Sequence, residues 1–188
     1  MVRNNPCQIQ AALLHLSQYQ QSYESWALGA ALQLYDRARA RGWLGQIWSA
    51  LNGRPRHLFD LKEIEATCTV RARCHAGTRS VPIRHIRGSE GRCRDFDPCF
   101  RPLGIHNRGR WLSVAAARLR GVPMPPVELI QVGECYFARD GHHRISVARV
   151  LGQDEIDAVV TFWDVAGPLP WAEAVAGQPA AELRPVVG

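Results

Sequence analysis

The order of apolar and polar residues divides the chain into a helical first part and a later region of short strands. Over residues 7–41, apolar residues recur at three- and four-residue steps, as on one face of an α-helix. This pattern predicts an amphipathic helical hairpin or a single helix, and Gly42, after three alternating arginines, indicates a helix end. A short helix is predicted over residues 58–66, with Asp60 as its cap.

After residue 80 the apolar pattern favours short strands that alternate with helices. The expected strands cover residues 81–86, with Val81, Ile83 and Ile86 placed for burial, residues 127–132, 135–139 and 156–162. A tight hairpin is expected at Gly133-Glu134. Helices are predicted over residues 111–120 and 142–151, whereas the polar, arginine-rich residues 69–80 are predicted to form an exposed connector.

These elements predict an α+β fold, with a small mixed sheet, packed helices and an N-terminal helical extension. At 188 residues the chain suits one domain with extensions. The predicted division is a helical extension over residues 1–66, an α/β domain over 81–163, and a Pro/Ala-rich tail over 164–188.

Charge adds a second feature, because the formal net charge is +6 and Lys62 is the only lysine. Residues 71–120 hold twelve arginines and only three acidic residues. Base composition of the coding DNA can produce such a bias without function. The alternative is a nucleic-acid-binding regulator or nuclease that uses residues 71–120, since arginine suits phosphate recognition.

Trp43, Ile47, Trp48 and Leu51 lie among arginines near the end of the predicted helical region. Packing into the core is the favoured interpretation of these side chains. The alternative is contact with a membrane surface, where basic helices with aromatic and aliphatic faces bind.

Cysteine usage and hydropathy indicate a cytoplasmic protein without a metal centre. The six cysteines lack CxxC spacing, the start lacks a signal pattern, and no apolar run of about 18 residues is present. We therefore expect free thiols, no transmembrane segment and no zinc. Asp95, Asp97 and Asp140 could hold a divalent cation, but aspartates in an arginine-rich region more often form salt bridges.

The segment DGHHR, residues 140–144, carries the strongest functional signal. A strand that passes through Gly141 directly into a helix presents unpaired backbone N–H groups and the positive end of the helix dipole. His142, His143 and Arg144 fall in this first turn, where each cation is disfavoured by ~0.3–1 kcal/mol unless an anion is present. The alternative is a closed corner in which Asp140 caps the helix and pairs with Arg144.

A second candidate loop covers residues 87–97, RGSEGRCRDFD. Arg87, Gly88, Ser89 and Arg92 could surround an anion, and the same composition could build a turn with salt bridges. Both interpretations stay open from the residues alone.

Residues 81–160 resemble the ParB/sulfiredoxin-like superfamily. The resemblance is carried by VPIRHI, then PPVELIQVGECYFARDGHHRISVARVLG, then IDAVV. GSEGRCRDFD, followed by RW and PPVELI, is similar to a bacterial subgroup of ParB N-terminal-like proteins. Members of the superfamily include partition proteins that bind and hydrolyse CTP, sulfiredoxins that use ATP, and free-serine kinases.

The resemblance implies a nucleotide-phosphate site at Gly141, His142, His143 and Arg144, over which Arg87, Gly88, Ser89 and Arg92 would close. Asp140, His142 and His143 would be the catalytic residues of a small-molecule kinase or NTPase that uses ATP, ADP or CTP with Mg²⁺. His142 stands where sulfiredoxins have a catalytic cysteine, so sulfinic acid reduction is not expected. No helix-turn-helix pattern follows Phe162, so a role in partition is not expected either.

Overall fold

The computed structural model describes residues 6–171. It has four α-helices and six strands in this part of the chain, in the order α1, β1, α2, β2, β3, α3, β4, β5, α4, β6. The helices are α1 (Pro6–Leu51), α2 (Leu61–Thr67), α3 (Arg108–Leu119) and α4 (His142–Val150). The strands are β1 (Phe59–Asp60), β2 (Thr69–Pro82), β3 (Ile86–Ser89), β4 (Val127–Val132), β5 (Cys135–Asp140) and β6 (Glu155–Ala166).

All six strands belong to one mixed sheet with the order β1-β3-β5-β4-β6-β2. β5 is parallel to β3 and antiparallel to β4, and β4 is parallel to β6. The predicted hairpin at Gly133-Glu134 is confirmed by the pairing of Val132 with Cys135. The α+β prediction with a small mixed sheet is therefore confirmed.

The prediction of an exposed connector at residues 69–80 was wrong. These residues belong to β2, an edge strand that pairs antiparallel with β6 from Thr69 opposite Ala166 to Pro82 opposite Glu155. β2 is exposed along most of its length, so its side chains show no apolar alternation. β2 forms because it pairs with β6, which is far along the chain. A local residue pattern does not reveal such a partner.

Apolar side chains cover both faces of the sheet. Leu129 and Ala138 join a cluster on one face with Ile145 of α4, and Ile130 and Phe137 join a cluster on the other face with Ile64 of α2. Successive strand residues point to opposite faces, so β4 and β5 are buried on both. The predicted burial of Val81, Ile83 and Ile86 is confirmed, although residues 83–85 form a 3₁₀ turn.

A third cluster joins α1 and α3 to the outer side of α4. Tyr35 of α1 contacts Trp111 of α3 edge to face, and Val147 of α4 completes the cluster. α1 is one helix of 46 residues, and it does not end at Gly42. A Cβ at Gly42 would lie 3.3 Å from Arg101 Cβ, so this glycine permits close packing inside the helix.

The predicted strand over residues 81–86 was wrong, because β2 ends at Pro82, residues 83–85 form the 3₁₀ turn and β3 begins at Ile86. The other predicted boundaries hold within a few residues. Asp60 caps α2, where its carboxylate accepts the Lys62 N–H at 3.1 Å. β6 runs to Ala166, and Trp171 is buried against Phe59 and Phe137, so the predicted tail begins as packed chain. The remainder of that predicted tail, residues 172–188, lies outside the described residues.

Candidate functional site

A pocket of about 360 Å³ opens at the N-terminus of α4, where β5 ends. Four segments line it, namely the loop after β3, the first turns of α3, the loop before β4, and the DGHHR turn. Its lining residues are Arg92, Arg110, Val114, Met124, Pro125, Asp140, Gly141, His142, His143 and Arg144. The sequence-predicted turn therefore lines a pocket large enough for a small ligand.

Gly141 makes the sharp corner between β5 and α4. Its φ of 88° is in the left-handed region, and a Cβ would lie 2.5 Å from Val127 Cγ1. Glycine alone meets both demands, the backbone conformation and the close approach of β4. As the N-cap of α4 it has no side chain to accept a hydrogen bond, and Asp140 makes no capping bond instead. The first-turn N–H groups of α4 have no side-chain cap.

His142 lies under the loop after β3, with 4% of its surface exposed. Its Nε2 is 2.7 Å from the Oγ of Ser89, which is fully buried and accepts the Arg92 backbone N–H at 3.1 Å. This short contact is a hydrogen bond between the serine hydroxyl and the imidazole ring. Ser89 thus orients His142 from beneath the pocket.

His143 is equally buried, with 6% of its surface exposed, and it lies edge-on against the Phe96 ring. Arg92 Nη1 lies 3.4 Å from His143 Nε2, and a guanidinium can only donate. The ring proton therefore sits on Nδ1. This buried nitrogen has no hydrogen-bond partner in the described part of the chain, a situation that costs ~1–3 kcal/mol and calls for an explanation.

Both imidazoles are neutral at pH 7. Burial, helped by the neighbouring Arg92 guanidinium, lowers the pKa of His142 from 6.5 to about 4. The same two causes, with Arg110 next, lower the pKa of His143 to about 4. The first turn of α4 therefore has fewer cations than the sequence indicates, and these rings can act as hydrogen-bond donors or acceptors rather than as charges.

Arg92 is held in place by a polar network on the side away from β5. Asp95 Oδ2 lies 3.7 Å from Arg92 Nε and accepts the Asn107 amide at 3.0 Å. Asn107 Oδ1 in turn faces Arg92 Nη2 at 3.5 Å, and His106 Nε2 lies 3.3 Å from Asp95 Oδ1. A guanidinium fixed by several partners loses little conformational freedom when it binds a ligand.

Arg144 does not point freely into the pocket. Its Nη2 pairs with Asp140 Oδ2 at 2.7 Å, and its Nη1 donates to the carbonyls of Pro125 and Pro126 at 2.6 and 2.9 Å. The Asp140–Arg144 pair expected of a closed corner is therefore present. It fixes the wall of the pocket, while the capping role expected for Asp140 is not seen.

Residues 87–97, which comprise the end of β3 and the loop after it, divide between two pockets. Arg92 reaches the pocket, whereas Arg87 lies over the Phe59 ring at 5.7 Å and lines a different pocket beside Trp48. The expectation that Arg87 would close over the ligand is corrected, because alternation along β3 turns it away. Gly88 fits under Phe137, whose ring atoms would lie 2.1 Å from a Cβ, so its role is packing.

Arg110 was not among the predicted site residues. It is exposed on the first turn of α3 and lines the pocket one helical turn before Val114. In residues 6–171 it takes part in no ion pair. The RW pair at residues 110–111 was the available signal, since the neighbouring Trp111 is buried and donates to Ser146 Oγ at 2.9 Å.

Three other arginines of residues 71–120 contact side chains of the protein. Arg73 lies over the Trp163 ring at 4.2 Å and pairs with Glu65. Arg120 pairs with Glu24, and Arg108 lies over the Tyr35 ring at 5.8 Å. These three guanidinium groups are therefore engaged within the protein.

The aspartates considered as metal ligands are separate and engaged. Asp95 binds Arg92 and Asn107, and Asp97 accepts the backbone N–H groups of Cys99 and Arg101. Burial raises the pKa of Asp97. Within residues 6–171, no three His, Cys, Asp or Glu residues are grouped so that they could hold a metal ion.

Comparison with known proteins returns little. No protein-family model and no curated protein matches the chain. Among solved structures, the sulfiredoxin from Arabidopsis thaliana is similar over 44% of this chain and 82% of its own, with 19% identity and a TM-score of 0.33. At this TM-score the likeness carries no argument about activity. Over the described residues, no helix is both long and apolar enough to span a bilayer.

Proposed function

We propose that the pocket at the N-terminus of α4 binds the phosphate groups of a nucleotide. The observation that carries the proposal is the convergence of two guanidinium groups, from Arg92 and Arg110, on a helix N-terminus without a side-chain cap. Backbone N–H groups and the helix dipole favour an anion at this point. Guanidinium groups supply the charge and the bidentate geometry that phosphate prefers.

The neutral histidines fit the same proposal. His143 lines the pocket as a neutral ring, and a neutral imidazole can donate a hydrogen bond to a phosphate oxygen. Neutral rings also leave the pocket with three cations, Arg92, Arg110 and Arg144, rather than five, which reduces mutual repulsion in the free protein. His142, oriented by Ser89, lies beside it in the same helical turn.

A nucleotide is the proposed ligand class because about 360 Å³ falls in the usual range of small-molecule sites. ATP, ADP and CTP are the candidates. Asp140, the carboxylate among the lining residues, would orient the turn through Arg144 and could coordinate a Mg²⁺ carried by the phosphates. Phosphoryl transfer or NTP hydrolysis at this site would depend on positioning and charge neutralisation by Arg92 and Arg110.

The test is calorimetric titration of ATP, ADP, CTP, GTP and inorganic phosphate, each with and without Mg²⁺. Arg110→Gln should weaken nucleotide binding about 10- to 100-fold, because a hydrogen bond to a charged group contributes ~1.5–3 kcal/mol. Arg84→Gln is the matched control, since Arg84 is exposed and lies outside the pocket. This substitution should leave the affinity unchanged.

Absence of heat with every nucleotide would refute the proposal. Equal affinity of wild type and Arg110→Gln would also refute it, because the ligand would then bind elsewhere. Binding of DNA or RNA with a steep salt dependence, and no binding of free nucleotides, would favour the nucleic-acid alternative instead.

A further inference from the structure

The end of α1 carries an apolar face that the rest of the described chain leaves open. Its members share one side of the helix, at spacings of one, four, five and eight residues from the first. We call this set the α1 apolar face. It consists of Trp43, Leu44, Ile47, Trp48 and Leu51, which are exposed by 64%, 58%, 41%, 63% and 78%.

This face is not the one that anchors α1 to the protein. Ala31, Tyr35 and Ala38 are buried toward α3, and Gly42 continues that buried side. The expectation that Trp43, Ile47, Trp48 and Leu51 pack into the core was therefore wrong. A contiguous set of two tryptophans and three aliphatic side chains in water indicates an interaction surface.

Arginines outnumber acidic residues around the face, where Asp36 lines a pocket with Trp43 and Asp97 lines one with Trp48. No acidic residue occurs between Asp36 and Asp60, whereas this interval holds five arginines. Within residues 6–171 none of the five forms an ion pair, and all are exposed. Arg37, Arg39 and Arg41 precede the face on α1. Arg54 and Arg56 follow it in the loop after Leu51.

We propose that the α1 apolar face docks on an anionic lipid surface. Arginines on both sides of the face would contact lipid headgroups, while the aliphatic side chains enter the acyl boundary. Trp43 and Trp48 are of the residue type that concentrates at the membrane–water interface. α1 would lie on the membrane through this face and hold the remainder of the protein through its opposite side.

The charge pattern disfavours the other occupants. A second copy of the chain would bring ten arginines together across one interface, with no acidic residue from either interval to neutralise them. Single-stranded nucleic acid could stack on Trp43 and Trp48, but it offers no apolar partner for Leu44, Ile47 and Leu51. An anionic lipid surface offers negative headgroups to the arginines and an acyl boundary to the aliphatic side chains.

The experiment is sedimentation of the full chain with vesicles of phosphatidylcholine alone or with about one-third phosphatidylserine. We expect at least tenfold stronger partitioning onto the anionic vesicles. Trp48→Gln with Leu51→Gln should lower that partitioning at least tenfold. Arg54→Gln with Arg56→Gln should do the same, because each arginine near an anionic surface contributes roughly fivefold.

The matched control is Ile105→Gln with Val122→Gln, two comparably exposed apolar residues outside the α1 apolar face. These changes should leave partitioning unaltered, and thermal melts should show all variants folded. Equal partitioning of the wild type onto both vesicle types would overturn the proposal. It would also be overturned if Trp48→Gln with Leu51→Gln converted a dimer to a monomer, or abolished oligonucleotide binding without changing vesicle binding.

Discussion

Acidification from pH 7 to pH 5 should destabilise this protein through the two buried histidines of α4. Burial and Arg92 lower the pKa of His142 and of His143 to about 4 in the folded state, while the unfolded value is 6.5. Between these values the unfolded chain binds more protons than the folded one. Stability is therefore full above pH 6.5 and falls as the pH drops toward 4.

The size of the effect follows from the pKa difference. Each pH unit between the folded and unfolded values is worth about 1.4 kcal/mol, so each ring costs about 2 kcal/mol of folding free energy at pH 5. Asp95 raises the pKa of both rings and Asp140 raises that of His142, but less strongly than burial and Arg92 lower them. Two rings together predict a loss of about 4 kcal/mol, a large fraction of the stability of a typical domain.

Urea unfolding at pH 7 and pH 5 measures this loss. His143→Gln keeps a polar side chain but removes one titrating group, so it should reduce the loss by about half. His85→Gln, at an exposed histidine outside the pocket, is the control and should leave the loss as in wild type. If His143→Gln lost as much stability as wild type between these pH values, the reasoning would be refuted.

Two packing predictions concern stability alone, and both are read from thermal or urea unfolding. Gly141→Ala should cost ~3 kcal/mol, from the left-handed φ and the contact with Val127, whereas Gly152→Ala, with φ of 77° and open space, should cost only ~1–2 kcal/mol. Equal costs would contradict the close approach of β4. Ser146→Ala should cost ~1–3 kcal/mol, because it leaves the buried Trp111 N–H without an acceptor, and a neutral result would contradict that bond.

The sheet shows which parts of the fold a local pattern can predict. The hairpin of β4 and β5 and the turn into α4 depend on neighbours within a few residues, and both were predicted correctly. β2 depends on pairing between Thr69 and Ala166, which are 97 residues apart along the chain. The exposed arginines of β2 therefore favoured a loop in the sequence. In the structure, β6 provides the hydrogen-bond partners that the backbone of β2 needs.

The site shows a different limit. DGHHR predicted the strand–helix corner that lines the pocket, whereas the two histidines expected to be cations there are neutral. His142 and His143 become neutral because Phe96 and Ser89 cover them, and neither contact is visible from the turn itself. Arg144 forms an ion pair with Asp140, as in the closed-corner alternative for this turn.

The positive charge at the pocket therefore comes from outside the motif. Arg92 arrives on the loop after β3 and Arg110 on α3, and each is positioned by a buried neighbour, Ser89 below one and Trp111 beside the other. In the proposed site, the DGHHR turn supplies backbone N–H groups and the floor of the pocket. The loop after β3 and helix α3 supply the guanidinium groups. For this reason the Arg110→Gln titration tests the ligand class more directly than any change within the turn, which would disturb the corner itself.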